Sequence, residues 1–185
     1  MGLDISVVKG LQKLADDEVP ENYYEHNICH LYNPDGVSKN VETEGYFRYD
    51  EINHVTKLGY SYYGKIRSFL SNLLGYNYDE LMEDPKKDIP FIELLFFSDC
   101  DGCFDSETSS KLYKDFVKYE QSVMDNLNKQ VNNFSSLYSE AQEQFFAFLL
   151  HPRDIERFYN DFVETYKELK EAFKNASENG AVLFH

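Results

Sequence analysis

From Gly2 to Val8 the chain alternates, with Leu3, Ile5 and Val7 apolar against Asp4 and Ser6. Period two predicts a half-buried strand. Residues 11–40 are polar, acidic and irregular, broken by Pro20 and by Asn33-Pro34-Asp35-Gly36, whose proline and glycine are turn chemistry. Gly45–Asp50 carries aromatic strand formers and is expected to pair into the same sheet. From Tyr62 the period changes: Ile66, Phe69, Leu70, Leu73 and Leu74 recur at helical spacing, with Gly75 as the stop. Pro85 and Pro90 bracket a surface loop. Phe91–Phe97 is almost continuously apolar and too short for an ordinary helix, so it predicts a central strand covered on both faces.

The second half reads as helix. Leu112, Phe116, Tyr119, Val123, Leu127 and Val131 form one stripe, with Asp105 or Ser106 placed to accept an orphan N–H at its start. Ser139-Glu140-Ala141-Gln142 has the form of a capping box and predicts a new helix carrying Phe145, Phe146, Leu149 and Leu150, ended or kinked at His151-Pro152. Ile155, Phe158, Tyr159, Phe162, Val163, Tyr166, Leu169 and Phe173 give a further helix, with Gly180 expected to stop it. Ala181–Phe184 is a short apolar end that suits a last strand. The expected fold is α+β: strands near Leu3, Phe47, Leu94 and Val182, about four in a small sheet, covered by about four helices. No repeat or linker divides residues 1–185, so one domain is expected.

Composition narrows the function classes. The net charge is −15 from 18 basic and 33 acidic residues among 185. A general phosphate-backbone binder needs a basic footprint, so direct nucleic-acid binding is not expected. No apolar run approaches the roughly 18 residues that span a bilayer, and the N-terminus lacks the pattern of a signal peptide. Three cysteines, an odd number, argue against a secreted disulfide framework. The expected compartment is a reducing cytoplasm, without membrane contact.

Four stretches carry a resemblance. They are Met1-Gly2-Leu3-Asp4-Ile5; Gly59–Gly75 with Arg67; Pro90-Phe91-Ile92-Glu93-Leu94 running into Phe97-Ser98-Asp99-Cys100-Asp101-Gly102; and Gly180-Ala181-Val182-Leu183-Phe184-His185. Together the chain resembles a widespread family of small uncharacterised phage, prophage and bacterial proteins. Its members begin Met-Gly-Leu-Asp-Ile, carry a Phe-Ser-Asp-Cys-acid-Gly segment and finish near Gly-Ala-Val-x-Phe-His. Cys103 departs from that pattern, and residues 11–40 match none of it. The resemblance implies an origin on a mobile element, with the host cytoplasm as workplace, and brings no reaction with it.

The candidate chemistry is sparse. Asp99 and Asp101 follow an apolar segment and precede a helix, where a ligand or proton-transfer site would sit, with His185 supplied by the last strand. The segments that carry the resemblance also hold Asp4 and Arg67, so the resemblance implies one candidate ligand site of Asp4, Arg67, Asp99, Asp101 and His185, with Asp4, Arg67, Asp99 and His185 expected to converge. The plain structural alternative makes the aspartates turn caps and Cys100 a small buried hydrophobe. Cys100-x-x-Cys103 with His26-x-x-Cys29, or His30, has the donor types of a zinc site, but the halves lie far apart in sequence and no structural zinc or other cofactor is expected. Gly59-Tyr60-Ser61-Tyr62-Tyr63-Gly64 reads as a Gly-bounded aromatic loop opening a helix, without the Gly-Lys-Ser/Thr ending of a phosphate loop.

Acidity is the strongest signal. Asp16, Asp17, Glu18, Glu21 and Glu25 form one cluster, and Asp79, Glu80, Glu83 and Asp84 a second. Glu156, Asp161, Glu164, Glu168 and Glu171 lie along the last helix, the last four at helical spacing, with Lys167, Lys170 and Lys174 among them. Such rows imitate duplex phosphates, which come about every 1.7 Å of helix axis. An ordinary solvated face is the alternative. The function expected is binding: an accessory protein that inhibits a host nucleic-acid-binding defence enzyme, such as a CRISPR nuclease, by occupying its basic surface. Asp16, Asp17, Glu18, Glu156, Asp161, Glu164, Glu168 and Glu171 would form the partner-binding face, with no catalytic residue.

Overall fold

The computed structural model describes residues 2–32, 44–83, 89–97, 102–142 and 152–185. Among these the chain is α+β, with a four-stranded sheet, a three-stranded sheet and a helical second half. The alternating segment forms β1 (Leu3–Lys9). It pairs antiparallel on one side with β5 (Glu51–Leu58) and on the other with β7 (Gly180–Phe184), and β6 (Gly102–Phe104) completes the order β5-β1-β7-β6.

The segment read as irregular contains β2 (Gln12–Lys13), two 3₁₀ turns (Asp16–Glu18 and Tyr23–Glu25) and β3 (Ile28–Leu31). β4 (Gly45–Arg48) is a strand, as its aromatics predict, but it lies between β2 and β3 in the second sheet rather than in the first. The two sheets are halves of one bent ribbon. Lys9 faces Glu51 before the bend and Gln12 faces Arg48 after it, in unbroken register. The corner falls at Gly10, whose φ of +69° suits glycine. A Cβ there would stand 2.1 Å from Asp50 Oδ2.

Alternation along β1 then divides the side chains. Leu3, Ile5 and Val7, with Val182, Phe184 and Phe104, enter the main core beneath the helices. Val8, Ala181 and Cys103 turn the other way and pack on Cys29, Leu31 and Phe47 of the second sheet. The four-stranded sheet is therefore the middle layer where the second sheet covers β1, β7 and β6, and burial of both faces there accounts for their apolar residues, while β5 stays largely exposed.

The helices are α1 (Tyr60–Leu73), α2 (Tyr78–Glu83), α3 (Ile92–Phe96), α4 (Ser106–Gln142) and α5 (Pro152–Ala176). α1 starts at Tyr60, so the stretch read as an aromatic loop is its first turn, with Gly59 as the N-cap. It ends as expected at Gly75: the Tyr76 N–H donates to Ser71 O and the Gly75 N–H to Asn72 O, a Schellman pair. Asp105 caps α4, its Oδ1 accepting the Thr108 N–H at 2.7 Å. Residues 139–142 lie inside α4, so the expected capping box opens no helix; residues 143–151 fall outside the described set. Gly180 does not stop α5. Asn179 takes the left-handed turn and Gly180 opens β7, where a Cβ would stand 2.6 Å from Val8 O.

Phe91–Phe97 is not a central strand. It holds the single helical turn α3, entered through Phe91 at φ +60°. The apolar run is buried, as its composition demands, but its own turn and side chains, rather than neighbouring strands, satisfy its backbone: the Leu95 N–H donates to Phe91 O at 2.9 Å and the Phe97 N–H to Glu93 O at 3.0 Å. Asp115 Oδ2 accepts the Phe91 N–H at 2.9 Å, and Arg67 Nη1 donates to the carbonyls of Phe97 and Leu95. The central places in the sheet are taken by β1 and β7, and the next strand in the chain, Gly102–Phe104, is at its edge.

Aromatic contacts join the layers. Phe184 lies 4.9 Å from Phe97, 5.5 Å from Phe104 and 5.7 Å from Tyr63, centroid to centroid. Phe116 of α4 meets Tyr166 at 4.7 Å and Phe173 at 5.8 Å on α5, and the Tyr166 hydroxyl donates to Phe116 O at 3.1 Å. Lys170 pairs with Glu120 at 2.8 Å beside them.

Candidate functional site

Asp4 and His185 come together because β1 and β7 are neighbours. Their residues form the last rung of that ladder, through two backbone hydrogen bonds. Both follow the alternation away from the main core. Around them on the same sheet surface are Ser6, His54 and Lys57. Lys57 Nζ donates to Asp4 Oδ2 at 2.8 Å, and Ser6 Oγ lies 3.2 Å from His185 Nε2. The hydrogen bond from Lys57, with the nearby positive charges of His54 and His185, holds the Asp4 carboxyl below its ordinary value. A serine, a histidine and an aspartate are thus close together. They are not wired as a hydrolytic relay, since the Asp4 carboxylate is engaged by Lys57 and Ser6 is buried.

Arg67 stands on the other side of the sheet. Its guanidinium lies 4.8 Å from the Tyr63 ring, and Tyr63 packs on the core-facing ring of Phe184. Arg67 therefore anchors the end of α3 from within, while Asp4 and His185 face outward from the neighbouring rung. Asp99, Cys100 and Asp101 lie outside the described residues. Of the candidate ligand set, the structure brings Asp4 and His185 together and sets Arg67 across the sheet from them.

The acidic face divides as well. Glu156, Glu164 and Glu171 are exposed on α5, while Asp161 and Glu168 are half-buried. Asp161 pairs with Arg157 at 3.7 Å and Glu171 with Lys174 at 3.0 Å. Glu168 and Glu171 also line a groove of about 440 Å³ between α5 and β5, shared with Lys9, His54 and Lys167. This surface is mixed in sign. Asp16, Asp17 and Glu18 are exposed on the first 3₁₀ turn, and Glu18 Oε2 accepts the Ala15 N–H at 2.9 Å. Glu21 and Glu25 are exposed nearby in sequence, and no Lys or Arg occurs between Lys13 and Lys39. Of the second cluster, Asp79, Glu80 and Glu83 ride on α2, and Asp84 is outside the described residues.

Cys29 and Cys103, 74 positions apart in the chain, share the small core between the sheets. Burial pushes both thiols up to about 12, and Cys103 Sγ donates to Tyr32 O at 3.2 Å. His30 alternates to the opposite face of β3 from Cys29, and among the described residues no group of three or more His, Cys, Asp or Glu side chains is arranged to hold a metal. Among the described residues no helix is long and apolar enough to cross a membrane.

One feature of the surface escapes sequence reasoning. On the outer face of the second sheet, His30 stacks on Tyr46 at 4.5 Å and on Tyr32 at 5.4 Å, and Tyr23 meets Tyr46 edge-on at 5.0 Å. The signal was the alternation of His30 and Tyr32 about Leu31, inside a segment whose polarity hid its strand.

No family model, curated protein or solved structure matches the chain.

Proposed function

We propose that the protein acts by binding, presenting acidic surface to a basic nucleic-acid-binding protein and competing there with nucleic acid. The observation that carries this reading is the placement of charge: Asp16, Asp17, Glu18, Glu21 and Glu25 are all exposed on a stretch with no lysine or arginine of its own. Carboxylates held in water on one surface raise the association rate with a basic channel and exclude wrong partners. The groups that would do chemistry are engaged in structure instead: Asp4 with Lys57, His185 with Ser6, Arg67 with the carbonyls of α3. The concrete form is an accessory protein of a mobile element that blocks a host defence nuclease, with a CRISPR nuclease as the model target.

The test is inhibition of such a nuclease across a salt series. Exposed charge pairs are screened over about 8 Å at physiological ionic strength, so inhibition is expected to weaken steeply as salt rises. Neutralising Asp16, Asp17 and Glu18 together is expected to slow association with the fold intact. Neutralising Glu164, Glu168 and Glu171 is expected to do less, because lysines already offset that face. The competing reading is a small-ligand-binding site or hydrolase around Asp99, Asp101, Arg67 and His185, favoured by the exposed place of His185 beside Asp4 at the end of the sheet. A salt-insensitive activity abolished by Asp99→Ala ends the binding reading.

A further inference from the structure

The three-stranded sheet has one face packed on the main sheet through Cys29, Leu31 and Phe47. Its other face carries Tyr32, His30, Tyr46 and Tyr23 as a continuous row of rings, His30 held between two tyrosines. His30 is exposed and the three tyrosines are half-buried, so the row borders solvent. Polar and charged residues are the usual occupants of a solvated sheet face, and a row of aromatic rings there is the kind of surface that marks an interaction site. The second 3₁₀ turn, Tyr23–Glu25, packs on β3, so Glu25 shares one turn with Tyr23 of the row. The chain entering this layer supplies Glu21 and, on the first turn, Asp16, Asp17 and Glu18. Arg48, two residues beyond Tyr46 on the same strand face, is a cation among the described residues of this face.

We infer that this face is the docking site for arginine side chains of a partner protein, with guanidinium groups stacking against the Tyr23–Tyr46–His30–Tyr32 row while the surrounding carboxylates pair with them. The inference rests on the binding reading above and names the chemistry of its contact. Two properties select arginine. The guanidinium is planar and weakly hydrated, so it stacks on aromatic rings and forks to carboxylates together, whereas a lysine ammonium is a strongly hydrated point charge. Residues 16–25, with five exposed acids and no lysine or arginine, select a cation, and they oppose the phosphates of a nucleic acid, the other class of ligand that stacks on exposed aromatic rings.

The experiment titrates the whole protein with an oligo-arginine and an oligo-lysine peptide of equal length, following the His30 ring protons by NMR alongside affinity. Oligo-arginine is expected to bind more tightly, by about two- to fivefold for each ring engaged, and to shift the His30 resonances where oligo-lysine does not. Tyr46→Ser is expected to remove the preference for arginine. Glu21→Gln with Glu25→Gln is expected to weaken both peptides and keep the preference. The wild-type NMR arm decides the matter should Tyr46→Ser fail to fold. Equal affinity for the two peptides with His30 unmoved overturns the inference, and so does a single-stranded oligonucleotide that moves His30 in place of the peptide. Arginine-selective binding at His30 without inhibition of any nuclease keeps the docking face and overturns the proposed function. Inhibition that persists in folded Tyr46→Ser and is not relieved by oligo-arginine keeps the function and overturns the face.

Discussion

Asp4 and His185 exchange both backbone hydrogen bonds: the Asp4 N–H donates to His185 O at 2.7 Å, and the His185 N–H donates to Asp4 O at 3.0 Å. The rung fixes β7 in register against β1, so Phe184 lies opposite Ile5 and points into the core. Alternation does the rest. The same two strands that bring Asp4 and His185 to the surface deliver Phe184 to Phe97, Phe104 and Tyr63.

Phe184→Ala is therefore expected to cost about 3–5 kcal/mol, the range for emptying a large aromatic site in a packed interior. The ring is 1% exposed and ties the sheet to α1 and to the end of α3. Urea denaturation followed by circular dichroism measures the loss; a change under 1 kcal/mol would mean the ring is not a core element.

Gly10→Ala is expected to destabilise by more than the roughly 1 kcal/mol of a left-handed alanine, because its Cβ also meets Asp50 Oδ2 at 2.1 Å. Gly10→Ala combined with Asp50→Ala is expected to recover most of the steric part, the Asp50 Cβ at 2.9 Å remaining, and to leave the conformational part. If the double variant is no more stable than Gly10→Ala alone, Asp50 does not crowd the corner.

Lys111 reaches two carboxylates, Glu93 at 2.5 Å and Asp115 at 2.7 Å, and Asp115 in turn accepts the Phe91 N–H that starts α3. Glu93 is 7% exposed, so Lys111→Met leaves its carboxylate buried without this partner. The expected loss is about 1–3 kcal/mol, toward the low end because Lys111 itself is 39% exposed and solvent screens the pair. Lys111→Met with Glu93→Gln is expected to regain part of the loss, and equal stabilities for the single and double variants would show that Glu93 does not depend on Lys111.

The elements that were legible in the sequence are those whose own side chains decide them. β1 and α5 show clean periods of two and 3.6, and both formed where expected. Gly75 and Asp105 are local stop and start signals that need no distant partner. Phe91–Phe97 failed because an apolar run of seven has no period to read, and its backbone partners, Asp115 and Arg67, lie on other elements. β3 failed because polar and turn-forming residues surround a four-residue strand that pairs only with β4. For the candidate site, the strands that carry Asp4 and His185 were legible, but their pairing was not, and the approach of the two residues was expected from the resemblance alone. The position of Arg67 across the sheet depends on which face of β7 meets α1, and strand order carries that information.

Asp4 is expected to titrate below its ordinary value of 3.8, chiefly through its hydrogen bond from Lys57. A lowered carboxyl stabilises the folded state above 3.8, and that contribution disappears as pH falls through the folded value. In Lys57→Met the Asp4 carboxyl is expected to titrate higher than in the wild type, because the hydrogen bond and the charge of Lys57 are lost while desolvation, which raises it, still acts against the charges of His54 and His185. Carboxyl carbon NMR reads both, and identical titrations would show that the pair does not form in solution.

Cys29 and Cys103 titrate in the opposite sense. Burial raises both from an ordinary 9.0 to about 12, with Cys103 adding to the rise of Cys29, and Asp105 and Glu44 to that of Cys103. At pH 8 the thiolate fraction of each is lower than that of an unfolded thiol by roughly a thousandfold, three powers of ten for three pH units. In a Cys100→Ser background, iodoacetamide is therefore expected to leave both residues unmodified in the native protein and to alkylate them rapidly in urea. The stability consequence follows from the same shift. Below pH 9 both folded and unfolded chains hold the thiols protonated, so the pair adds no pH dependence. Above 9 the unfolded chain ionises first, and stability falls until the folded thiols ionise near 12. Several buried tyrosines, Tyr166 among them, are raised as well and steepen the alkaline loss. The difference between the wild type and Cys29→Ala/Cys103→Ala isolates the thiols: the double variant starts less stable at pH 7 and loses less between pH 9 and 11. Parallel profiles for the two proteins, or fast alkylation of the native chain at pH 8, would place these cysteines at the surface rather than between the sheets.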